Sequence, residues 1–141
     1  MSILLALFLV VHASIHIGYI CGPAWPFVAT DPWLVTLLGA NPDEVRSVGI
    51  ALVLVTLVAF VLAAMAGMGL VRSLWKPLVV VASVASAIVL LLFITPWTLP
   101  GLAIDAVLLW ATLVWGWRPA PLLGRARRAP HASDPSRAAV R

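Results

Sequence analysis

The chain has 141 residues, of which 63% are hydrophobic and 10% charged, and its mean hydropathy is +1.11. Soluble domains carry about 45–50% apolar and about 25% charged residues, so this composition excludes a soluble globular domain, a disordered chain and a collagen-like one. One cysteine, Cys21, excludes an internal disulfide scaffold and a CxxC pair, and the net charge of +4 becomes a question of where the charges fall along a membrane protein.

A helix needs about 20 mainly apolar residues to cross the roughly 30 Å of hydrocarbon, and four stretches supply them. The first covers residues 2–20, carries no formal charge and stops before Cys21-Gly22-Pro23. It lacks the basic leading segment of a secretory signal, and Gly18-Tyr19-Ile20 makes a poor cleavage site, so a retained helix is expected. Asp31-Pro32 then opens a short helix over 32–38, too short to cross and expected to lie on the interface or cap the bundle. In Asn41-Pro42-Asp43-Glu44 an N-cap, a proline at the first helical position and two acids in the first turn start the second helix, whose span covers about 43–71. The third span covers 78–95, between Pro77 and Pro96, and the fourth covers 101–117, between Pro100 and Arg118-Pro119. No proline falls inside these spans, as unbroken helices require, because an interior proline costs about 3 kcal/mol. The expected fold is all-α: a four-transmembrane-helix up-down bundle over 1–117 with a short interfacial helix in the first extracytoplasmic loop. A basic, disordered tail over 118–141 follows it.

Charge sets the orientation. The first loop holds Asp31, Asp43, Glu44 and Arg46, net −2, whereas the second holds Arg72 and Lys76, and the tail carries six arginines against Asp134. Basic residues stay cytoplasmic, which places the second loop and both termini inside and the chain in a plasma (inner) membrane of bacterial type. Trp25, Trp33 and Trp97 then fall at the outer face, and Trp75, Trp115 and Trp117 at the inner one, as an aromatic belt does; Trp110 falls mid-span. The arginines of the tail read as a topology anchor in contact with membrane lipid. No nucleic-acid partner is expected, since nothing resembles a folded basic surface with readout groups.

Lipid tails are as apolar as leucine, so the helices must associate by close packing and a few polar contacts. Ala59, Ala63 and Gly67 form one row at four-residue spacing, and Ala82 with Ser86 and Ser83 with Ala87 form others. All are read as packing residues, the serine hydroxyls bonding the preceding turn of their own helix. Internal repeats are absent and the proline breaks sit at the span ends, which argues against an inverted-repeat transporter.

Three ionisable residues lie inside the spans: His12, His16 and Asp105. Intramembrane ionisable groups are costly, face the bundle interior and mark function by default. At 1.5 Å per residue, His12 lies near mid-depth, His16 roughly 7 Å further out, and Asp105 roughly 6 Å towards the outer face. If the first and fourth helices are neighbours, the three can meet. His12 and His16 share a helix face with Phe8 and Tyr19. Two histidines and a carboxylate form a candidate set for a metal ion, iron or zinc, although HxxxH alone is a weak motif. Histidines four apart cannot clasp one porphyrin from both faces, and His131 lies in the tail, so an autonomous bis-histidine haem is not expected. A simpler reading is that Asp105 pairs with one histidine and fixes helix register. Proton handling is a third, but the inner half offers only serine and threonine, which argues against conduction across the membrane.

The short four-span arrangement resembles, in layout only, families of small bacterial membrane proteins such as the DoxX-like ones, and no residue role is carried over. The expected function is an accessory or binding subunit holding a lipid-like or metal ligand in an outer-half pocket lined by His12, His16, Tyr19, Asp105, Trp97 and Trp110. One alternative is a membrane-embedded metal-dependent enzyme using the His/His/Asp set on a hydrophobic substrate. Another is a structural subunit of a larger membrane complex, and a membrane-protein partner or a second copy of the chain is compatible with each.

Overall fold

The computed structural model describes residues 2–21 and 32–120, and among these every regular element is helical. The elements are α1 (Ser2–Ile15), α2 (Gly18–Cys21), α3 (Trp33–Leu38), α4 (Pro42–Met68), α5 (Trp75–Leu92) and α6 (Leu99–Leu113), with 3₁₀ turns at Arg72–Leu74 and Pro96–Thr98. Four helical stretches are long and apolar enough to cross a membrane: Ile3–Cys21, Pro42–Met68, Arg72–Leu92 and Pro96–Leu113. Leu4, Val11, Val58 and Val107 are among many large apolar side chains on the outer surface. Such a surface belongs in hydrocarbon rather than water. The chain is a multi-pass membrane protein built as a helix bundle. The basic tail beyond Ala120, Trp25 and Asp31 lie outside the described residues.

Local sequence explains most boundaries. Asn41 caps α4 as its spacing implies, its side chain accepting from the Asp43 amide at 3.0 Å. At the other end α4 stops at Met68 rather than near 71, because Gly69 takes φ +110°, a left-handed conformation that side chains resist. α5 starts three residues before the expected 78 and ends at Leu92. Pro77 is accommodated in its first turn, where the missing N–H has no helical partner. α6 begins before Pro100 for the same reason and stops at Leu113 rather than 117, where Gly116 at φ +60° and the Trp117 amide bond to the Ala111 carbonyl (2.9 Å) turn the chain.

The first span is not one regular helix. The His16 amide bonds the Ala13 carbonyl (3.0 Å) instead of that of His12, and the next amide, Ile17, also bonds three residues back. The His12 carbonyl is taken by the His16 side chain, whose Nδ1 lies 3.2 Å away. A side chain thus displaces the backbone bond and tightens the turn, leaving α2 as a short continuation that Gly18 begins.

Packing is serial: α1 lies along α4, α4 along α5, and α5 along α6, while α3 sits beside α4 and anchors to α5 through Trp33 Nε1, which donates to the Leu91 carbonyl at 2.9 Å. Leu9, Phe60, Ala63, Val79 and Ala82 are fully buried at the shared centre. Ala59, Gly67, Ser83 and Ser86 of the small-residue rows are all buried. Trp75, expected in an interfacial belt, is instead 2% exposed. Its indole nitrogen donates to the Trp117 carbonyl (3.2 Å), and its ring meets the Trp117 ring edge-on, locking the segment after α6 to the start of α5. α1 and α6 are the outer members of the series, and the gap between them is bridged by side chains.

Candidate intramembrane polar site

The side chains that bridge the gap are the three ionisable ones. Asp105 on α6 is completely buried, as are His16 and, almost completely, His12 on the first span. His12 Nε2 lies 3.3 Å from Asp105 Oδ1. Ser86 on α5 joins them from a third helix: its hydroxyl donates to Asp105 Oδ2 at 2.5 Å and lies 2.9 Å from His16 Nε2. The order of contact is therefore His12, Asp105, Ser86, His16, and the His16 Nδ1 contact to the His12 carbonyl closes the chain into a loop. Aromatic rings hold the histidines in place. His12 stacks on Phe8 (centroids 6.2 Å apart, 10° between planes) and meets Phe60 of α4 edge-on at 5.3 Å. Tyr19 stands 6.1 Å from the His16 ring and 5.2 Å from that of Phe93.

Beside this loop a cleft of about 360 Å³ opens between the first span and α6. His12, Ile15, His16 and Tyr19 line one side, Trp97, Thr98, Pro100, Gly101 and Ile104 the other, with Leu90 behind. Gly101 keeps the floor open: a Cβ would stand 2.9 Å from Leu90 Cδ1 and 3.9 Å from His12 Cε1, so a side chain there would make the end of Leu90 move and occupy part of the cleft. Thr98 fixes the entrance. Its hydroxyl accepts from the Thr95 amide (3.1 Å) and donates to the Thr95 carbonyl (2.8 Å), pinning the turn that carries Trp97.

No family model, curated protein or solved structure matches the chain. The roles of these residues rest on their own chemistry.

A carbonyl oxygen only accepts, so the contact from His16 Nδ1 to the His12 carbonyl requires a hydrogen on Nδ1. Ser86 has one hydroxyl hydrogen, which Asp105 takes; its contact with His16 Nε2 is then a hydrogen bond only if Nε2 carries a hydrogen as well. Every contact is satisfied when the loop holds one proton beyond a neutral imidazole pair and a carboxylate. That proton sits on His16, opposite a charged Asp105, or passes through Ser86 to leave Asp105 neutral and hydroxyl-bearing. Either way the site has no net charge, which suits a buried environment where an isolated charge is very costly. The same set of contacts is compatible with either placement of that proton.

Of the residues expected at the site, His12, His16 and Asp105 converge, and Tyr19 and Trp97 line the cleft beside them. Trp110 does not line it: it lies five positions past Asp105, about 140° around α6, and is 56% exposed. His12 Nε2, both His16 ring nitrogens and both Asp105 oxygens are engaged by one another, by Ser86 or by the His12 carbonyl. Among the described residues no group of three or more His, Cys, Asp or Glu side chains stands where it could hold a metal ion. Cys21 is a free, exposed thiol. Sequence reasoning assigned Ser86 to helix packing and a bond to its own preceding turn, whereas the structure makes it the centre of the loop. The available signal was depth: Ser86 lies nine residues before Thr95 and Asp105 ten after it, so a hairpin turning there sets them level. Among the described residues the buried hydroxyls of Thr56, Ser83 and Thr112 have no hydrogen-bond partner, so they extend no hydrogen-bonded chain from Asp105 along the bundle.

Proposed function

We propose that the chain is a membrane-embedded binding protein that receives the polar head of a lipid-like molecule in the cleft between the first span and α6. One observation carries this: an open, mainly apolar cleft runs directly against a buried, hydrogen-bonded His/Ser/Asp loop. Small-molecule sites have this character, an apolar chamber of roughly 300–1,000 Å³ with a few convergent polar groups. Trp97, Pro100, Ile15 and Ile104 offer apolar walls to a ring or chain, and the His12 and His16 rings and the Tyr19 side chain meet the head. The ability to relocate a proton within the loop lets one site meet a head that donates or one that accepts. The charge pattern supports an up-down arrangement with both termini cytoplasmic, the cleft in the outer half and α3 as an interfacial cap over it. An accessory or binding subunit fits this reading.

The test is lipid extraction from purified full-length protein followed by mass spectrometry, beside Ile104→Trp, which fills the cleft without touching the loop. A molecule retained by the wild type and lost from the variant is the expected result. Extracts that do not differ between two equally stable proteins overturn the proposal. Metal analysis of the same samples addresses the metal-ligand alternative, for which a stoichiometric ion is the signature. A second reading, that the loop only fixes helix register, is favoured by the engagement of its polar atoms with one another; it predicts no ligand in either extract.

A further inference from the structure

We infer that the opposite end of the bundle carries a second, unrelated site: a two-arginine cleft for the phosphate of an anionic phospholipid. A cavity of about 420 Å³ lies where the α4–α5 turn meets the segment after α6, lined by Ala66, Arg72, Ser73, Trp75, Arg118 and Pro119. Two guanidinium side chains from segments 46 residues apart in sequence border this one space.

Packing forces them together. Gly67 has no side chain, and a Cβ there would stand 3.0 Å from the Trp75 ring and 3.4 Å from Pro119 Cγ. Trp75 is buried and donates to the Trp117 carbonyl, the residue before Arg118. Gly67, Trp75 and Pro119 therefore clamp the chain after α6 against the start of α5 and hold Arg118 over the same cavity as Arg72.

Nothing described neutralises the pair. The ion pair among the described residues is His12–Asp105, far inside the bundle. The other described acids, Asp43 and Glu44, start α4, and Glu44 is 22 residues from Ala66 along that helix, roughly 33 Å. Like charges held together without an acid repel each other, and an anion relieves that repulsion. Guanidinium groups bind phosphate through paired N–H donors, and Ser73 lines the same cavity. The occupant is a lipid rather than a soluble phosphate because the cavity sits at the end of membrane-spanning helices, with Leu70, Val71 and Leu74 exposed around it for acyl chains.

Full-length protein in detergent, titrated with phosphatidylglycerol or phosphatidylcholine and read by native mass spectrometry, tests this. Phosphatidylglycerol should bind first and more tightly. Arg72→Gln or Arg118→Gln should weaken it on the order of tenfold each, as loss of a charge-assisted hydrogen bond does. The pair Arg72→Lys with Arg118→Lys, which keeps charge but not the paired donors, should fall between wild type and the double glutamine variant. Competition by inorganic phosphate supports the same phosphate chemistry. Tight binding of inorganic phosphate without any of phosphatidylglycerol overturns the lipid assignment. Equal binding of both lipids overturns the site, as does loss on neutralising Arg125, Arg127 and Arg128 while the glutamine variants bind normally.

Discussion

Asp105 shows how much one carboxyl group decides. It accepts from His12 and Ser86 and is completely buried, so its removal strands two polar side chains at once. Asp105→Ala should therefore lower stability by about 2–5 kcal/mol, measured by thermal unfolding in detergent, from the unpaired partners and the cavity left behind. Asp105→Asn should behave differently. An asparagine oxygen still accepts from His12, its amide donates to Ser86, and Ser86 then donates to an unprotonated His16 Nε2, which reproduces the proton arrangement with Asp105 neutral. A cost below about 1.5 kcal/mol, the scale of one ordinary hydrogen bond, is expected. If Asn is as damaging as Ala, the hydrogen count proposed for the loop is wrong. His12, His16 and Asp105 were legible in the sequence because ionisable groups stand out in apolar spans. Ser86 was not, because a serine in a small-residue row has a packing role that explains it equally well.

At the scale of the element, caps and glycines wrote the helix ends, and the irregularity at His16 escaped the sequence. Asn41 and Pro42 specify the start of α4 locally, so the reading needed no tertiary knowledge. The tightened turn at His16 depends on a side chain taking a backbone acceptor, which is settled only once His16 is also held by Ser86 on another helix. The burial of Trp75 escapes the sequence for a related reason. Its position near a span end is that of a belt residue, and burial came from Gly67 across the interface, which propensity does not reveal. Gly67→Ala should consequently cost about 1–3 kcal/mol, as overpacking does. Since Trp75 is displaced directly, the shift should appear in tryptophan fluorescence as well as in thermal stability. An unchanged spectrum at normal stability would mean that the ring has room.

For the whole molecule, the span count and the apolar exterior followed from composition, whereas the serial packing order did not. Sequence periodicity says which faces are buried but not which helix buries them. The charge pattern makes a testable statement about topology. Cys21 is the chain's single cysteine and is exposed, so a membrane-impermeant maleimide should label it in intact cells. In a Cys21→Ser background, Ser133→Cys in the tail should label only after the membrane is opened. The reverse pattern would invert the bundle and move the cleft to the cytoplasmic leaflet. The arrangement of α1, α4, α5 and α6 in series has one more consequence. Its seam opens sideways, with Ile15 and Trp97 facing outward at the mouth. On the function proposed above, a solute dissolved among acyl chains would reach the histidines by two-dimensional diffusion within a single leaflet. It would lose its hydration once, on partitioning into the bilayer, and capture would then depend on its concentration in the membrane rather than in the surrounding water.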